Sequence, residues 1–93
     1  MTTAIVVHEV KNGERWAKAW RKGKGSRHEI FGKLGIKART FRDPKNPKWA
    51  GLILKIPDLA KWRALLASDE GKTAMREDGL KVATMRMLVE FTP

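Results

Sequence analysis

Phe41-Arg42-Asp43-Pro44-Lys45-Asn46-Pro47 separates two stretches rich in apolar residues, 36–42 and 49–56, and its reading decides how this chain folds. Neither proline has a backbone N–H, so neither can sit inside a hydrogen-bonded ladder. Asp43 and Asn46 supply side chains that favour tight turning. A connection this short allows only an antiparallel return, so the two stretches form a hairpin.

Upstream, residues 3–10 are β-branched and aliphatic and read as a strand. Ala4, Val6, His8 and Val10 share one of its faces, and Ile5, Val7 and Glu9 the other. Both sets begin apolar, which predicts a central strand covered on both sides. Asn12-Gly13 ends it, and Asn12 is suited to cap a helix through Lys22 with Trp16, Ala19 and Trp20 as the apolar stripe. Gly23 and Gly25 stop that helix. Ser26 and Glu29 then form a capping-box pattern for a second short helix carrying Ile30, Phe31 and Leu34, with Gly35 as its left-handed stop.

Downstream, Asp58 caps a helix whose Leu59, Trp62, Leu65 and Leu66 repeat at helical spacing. Ser68-Asp69-Glu70 opens another helical segment, with acids suited to a helix N-terminus, and Gly79 closes it. Residues 80–91 complete the pattern as a last strand. The order is strand, helix, strand, strand, helix, strand in a single domain, residues 1–93. It predicts an α+β, ferredoxin-like βαββαβ fold with a four-stranded antiparallel sheet and helices on one face. The other face would carry Met, Val, Leu and Ile, too much apolar surface to leave wet. A second identical chain packed sheet to sheet would cover it, giving a dimeric α/β barrel with a small-molecule cavity between the sheets.

Composition narrows the classes. The 93 residues contain no cysteine, which removes disulfides and thiolate chemistry. The longest aliphatic runs, residues 4–7 and 52–54, fall far short of the roughly 20 residues needed to cross a bilayer. With no basic-then-apolar signal segment at the start, the expectation is a cytoplasmic protein without membrane contact. The net charge of +10 is uneven: residues 1–48 hold 13 Lys or Arg against 4 acids, and residues 49–93 hold 7 against 6. A basic half attracts anions without sequence preference. The exposed aromatic and glycine signature of sheet-based RNA readers is missing, however, so nucleic acid is not the expected partner.

With these residues in view, the chain resembles the dimeric α/β-barrel superfamily, in particular the small antibiotic-biosynthesis-monooxygenase-like and uncharacterised cyclase-like proteins. The resemblance rests on His8, Val10 and Trp16, then Arg27, Phe41, Arg42 and Pro47, and then Asp58, Leu59, Ser68, Met75 and Gly79. It departs at Gly71, where leucine is usual, and at Lys55, where a glutamate is common. It implies a homodimer holding a small molecule between its sheets. The activity it implies is that of a cofactor-free monooxygenase, or of a cyclase or isomerase, acting on a conjugated or aromatic compound. A non-catalytic small-molecule-binding or stress-associated dimer is the alternative.

His8 is the first candidate for catalysis, because an imidazole in an apolar strand can exchange a proton with a bound substrate near neutral pH. Arg86, flanked by Met85 and Met87, is the second, as a cation that would stabilise developing oxyanion charge. Trp49, Arg42 and Arg39 are candidates for substrate binding, the tryptophan by stacking and the arginines by holding an anionic group. Trp16, Trp20 and Trp62 read as helix–sheet core, and His28 as a surface histidine. Two histidines 20 residues apart and no cysteine do not make a metal ligand set, and no cofactor is expected.

Overall fold

A computed structural model describes residues 1–21 and 23–93. Its elements are β1 (Thr2–Glu9), α1 (Gly13–Trp20), α2 (Arg27–Gly32), β2 (Lys37–Arg42), β3 (Trp49–Ile56), α3 (Leu59–Ala67), α4 (Asp69–Glu77), a 3-10 turn (Val82–Thr84) and β4 (Arg86–Val89). The strands form one open antiparallel sheet in the order β2-β3-β1-β4, the ferredoxin-like arrangement. The hairpin pairs Lys37 with Lys55 and Arg42 with Ala50.

Local chemistry sets the element ends. The Asn12 side chain accepts from the backbone N–H of Glu14 and Arg15, at 3.0 and 3.1 Å. Asp58 does the same for Lys61 at 3.2 Å, and Ser68 for Gly71 at 3.1 Å. The expected capping box at α2 does not close: Ser26 stands at the N-cap without a side-chain cap bond. Glu29 instead reaches back to the N–H of Gly25, at 3.3 Å. The expected run of α1 to Lys22 ends at Trp20, and Lys22 itself lies outside the described residues.

Two glycines are dictated by close approach. A Cβ on Gly71 would sit 2.0 Å from the Leu65 carbonyl oxygen, so the tight junction of α3 and α4 excludes the leucine usual at this position. A Cβ on Gly13 would sit 2.3 Å from the Pro47 carbonyl oxygen, which seats the hairpin turn on the head of α1.

The last strand is shorter than residues 80–91. Leu80 makes an isolated bridge to Val10, and the chain then winds through the 3-10 turn. The reason is a competing acceptor: the Glu9 N–H donates to the Thr84 hydroxyl at 2.9 Å, and that hydroxyl donates to the Lys81 carbonyl. Regular pairing resumes only at Arg86.

The core lies between sheet and helices, built from Ala4, Val6, Leu52, Leu54 and Ile56 against Trp16, Trp20 and Trp62. The opposite face of β1 is not covered within one chain, so the cover expected on both sides of this strand is supplied on the helix side alone. Ile5 is 44% exposed and Val7 42%.

Candidate functional site

β1 alternates, so its even-numbered residues point at the helices. His8 belongs to that set and is 1% exposed. Around it, the helices and the sheet enclose a cavity of about 60 Å³. Trp16, Phe31, Leu54, Trp62, Met75 and Met85 supply much of its apolar wall. The His8 ring meets Trp16 edge-on, with centroids 5.8 Å apart and planes at 62°. Trp20 continues the aromatic wall, 6.1 Å from Trp16 and 5.2 Å from Phe31.

Several polar atoms in this apolar space have no partner among the described residues. They are both ring nitrogens of His8 and the indole N–H groups of Trp16 and Trp62. Buried polar groups are nearly always paired, so three such side chains around one cavity mark a place built to meet something polar. Burial pushes the His8 pKa down to about 4, so the ring is neutral near pH 7, with one nitrogen able to donate and the other to accept.

A buried ion pair forms another part of the wall. Arg27, at the start of α2, donates from Nε to both carboxylate oxygens of Asp78 at 3.0 Å and from Nη2 to Oδ1 at 2.7 Å. Asp78 is 5% exposed, and Glu77 stands outside it, 3.4 Å from the same guanidinium. Burial pushes the Asp78 carboxyl up, while hydrogen bonding to Arg27 opposes that. The hydrogen bond to Asp78 raises the Arg27 pKa further, so the guanidinium is permanently charged. From sequence alone this pair has no assigned role. A signal was present: acids at a helix C-terminus oppose the helix dipole and need a cation from elsewhere.

The other predicted residues do not converge on His8. Arg86 pairs with Val7 and therefore projects on the open side of the sheet, away from His8. The expected His8–Arg86 constellation is thus split by the sheet itself, because the two residues have opposite parity in the ladder. Arg39 lies on the open side too, with its guanidinium 5.4 Å from the centre of the Phe41 ring. Trp49 pairs with Glu9 and joins Phe41 and Val7 around a shallow depression on that side. Arg42 leans the other way, to Glu14 of α1 at 3.1 Å. Trp16, Trp20 and Trp62 are core, as expected, but Trp16 and Trp62 are also cavity wall. His28 is half-buried and edge-on to Trp20 at 5.2 Å, rather than a free surface residue.

Among the described residues, no group of three or more His, Cys, Asp or Glu side chains could hold a metal ion. No described helix is long and apolar enough to cross a membrane.

No protein-family model matches this sequence, and no curated protein sequence matches it. Solved structures do match its fold. A crystal structure of an antibiotic biosynthesis monooxygenase superposes with a TM-score of 0.71 at 14% identity, covering 100% of this chain and 99% of the other. A candidate antibiotic biosynthesis monooxygenase from Nitrosomonas europaea gives 0.69 at 15% identity, over 99% and 98% of the two chains. SnoaB from Streptomyces nogalater, a cofactor-independent oxygenase, gives 0.64 at 14% identity, over 99% and 91%. The chain therefore has the ferredoxin-like fold of the antibiotic biosynthesis monooxygenase group along its whole length.

Proposed function

We propose that this protein is a cofactor-independent oxygenase acting on a small, conjugated, weakly acidic compound bound between sheet and helices. The observation that carries the reading is His8: a neutral imidazole, sealed in an aromatic cavity, with neither nitrogen occupied by the protein. The likeness in fold to SnoaB supports it.

The chemistry follows from what such a site can do. An oxygenase without a cofactor needs a substrate that supplies its own electrons, and deprotonation makes a conjugated phenol or enol electron-rich. His8 accepts that proton on its free nitrogen. The resulting imidazolium and the Arg27 guanidinium stabilise the delocalised anion, whose oxygen the Trp16 and Trp62 N–H groups can also meet. Dioxygen then takes electrons from the anion. A ring CH2 becomes C=O, one oxygen atom stays on the carbon, and the other leaves as water with the two hydrogens. Arg27 replaces Arg86 as the cation in this scheme, because it shares the cavity with His8. The same proton transfer could begin a cyclisation or isomerisation, which would consume no oxygen.

The reading includes a homodimer. Ile5, Val7, Phe41 and Leu88 are between 42% and 68% exposed on one face of the sheet, and a second copy of that face would cover them. In this arrangement the dimer contact is separate from the chemistry, instead of enclosing it.

A non-catalytic binding role has one observation in its favour: burial makes His8 a weak base. Oxygen uptake with a compact, single-ring phenol separates the two. Enzyme-dependent uptake of one O2 per ketone formed, lost in His8→Leu, supports the oxygenase. Tight binding of the phenol without uptake supports the binding protein.

A further inference from the structure

A second recess lies outside the cavity just described, along α4 and the segment that follows it. It has a volume of about 400 Å³, within the range of roughly 300–1,000 Å³ that suits small ligands. Leu66, Met75, Leu80 and Met85 line both this groove and the inner cavity, so they form the partition between the two. Val82, 56% exposed, extends the apolar floor outward. Methionines in such a wall adapt to ligands of different shape.

Three cations complete the lining: Lys11, just ahead of α1, with Lys72 and Arg76 of α4. Among the described residues, no carboxylate lines the groove. Among the described residues, the ion pairs are those of Arg27, Arg42 and Lys81, so these three cations make none. The nearest polar contact is neutral, from Arg76 Nη2 to the Thr73 hydroxyl at 3.3 Å. Positive charge at the border of an apolar floor is complementary to a molecule with a greasy body and an anionic end.

We propose that this groove binds a free amphiphilic anion, an acyl or aryl carboxylate of medium length. Its apolar body lies on the Leu and Met partition and its carboxylate meets Lys11, Lys72 and Arg76. The site stands whether or not the inner cavity is catalytic. Because the partition is shared, an occupant of the groove is felt in the cavity, where Trp16 and Trp62 report it.

Octanoate, octanol and octylammonium share a chain and differ in charge, so titrating the full-length protein with each is the test. Calorimetry gives the affinities, and methyl NMR of Val82, which lines the groove but not the cavity, gives the location. Octanoate is expected to bind at least about tenfold more tightly than octanol, with octylammonium weakest, a gap of the size one charge-assisted contact supplies. Lys72→Glu with Arg76→Glu should cut octanoate affinity at least about tenfold and leave octanol unchanged. Lys72→Gln with Arg76→Gln, checked by circular dichroism, gives the same ordering if charge reversal harms folding. His8→Asn should leave octanoate affinity unchanged, which separates this site from the cavity. Equal binding of octanoate and octanol, or no response to the charge changes, would overturn the proposal. Shifts confined to Ile5 and Leu88 methyls would overturn it too. So would binding to vesicles containing anionic lipid without binding to octanoate, which would assign the cations to a bilayer surface.

Discussion

On the helix side of β1, Ala4, Val6, His8 and Val10 are each at most 4% exposed, whereas Ile5 and Val7 on its other side are 44% and 42% exposed. The two faces invert the usual rule. The sealed face holds a titratable ring without a protein partner, and the wet face holds branched aliphatics. Burying an unpaired polar group costs about 1–3 kcal/mol, and exposing a contiguous apolar patch invites association. The two sides therefore point to different occupants, a small molecule inside and a protein surface outside. Changes on the inner face should alter chemistry and stability, and changes on the outer face should alter association alone.

The largest expected effect is on turnover. His8→Leu should lower the oxygenation rate by about 10²–10⁴-fold, the usual contribution of a positioned acid–base group, while the chain stays folded. A variant with undiminished oxygen uptake would break the assignment. Next is the buried ion pair. Arg27→Leu alone leaves the Asp78 carboxylate uncompensated and should cost about 3–5 kcal/mol in denaturant unfolding. Arg27→Leu combined with Asp78→Leu should recover most of that loss, and a double variant as unstable as the single would show that the pair acts through something other than charge.

The acid limb of stability comes third. The His8 pKa is about 4 in the folded chain and 6.5 ordinarily. The unfolded chain thus takes up a proton first as the pH falls. His8 costs no stability above pH 6.5, and its penalty grows to about 3 kcal/mol as the pH drops toward 4, where the folded ring begins to protonate. Unfolding curves at pH 7 and pH 4.5 measure this, and His8→Leu should flatten the difference. The smallest effect on the fold sharpens the contrast. Leu88→Glu with Ile5→Glu should shift sedimentation from dimer to monomer while changing the monomer's stability by no more than about 0.5 kcal/mol per site.

Much of the architecture was readable because local signals agreed. Asn12 and Asp58 cap their helices as expected, and the segment expected to open at Ser68 does so with that serine as its cap. Gly35 and Gly79 take positive φ values of 70° and 72° at helix ends. The even set of β1 packs inward as one face. What escaped depends on distance or register. Apolar residues from Leu80 to Met85 look like strand, yet the Thr84 hydroxyl captures a ladder donor and bends the chain. Arg86 looked like a partner for His8 until the β1–β4 register set it opposite Val7. Arg27 and Asp78 are 51 residues apart, and each has an adequate local explanation, so nothing in sequence order joins them.

Imidazole ¹⁵N NMR of His8, recorded against pH and against a compact, single-ring phenol, tests the central claim most directly. The account predicts a neutral ring down to about pH 4. It also predicts ligand-induced shifts at His8 and at the Trp16 and Trp62 indole N–H groups, with the Ile5 and Leu88 methyls still. A ring that titrates near 6.5, or a ligand that moves Ile5 and Leu88 instead, would contradict it.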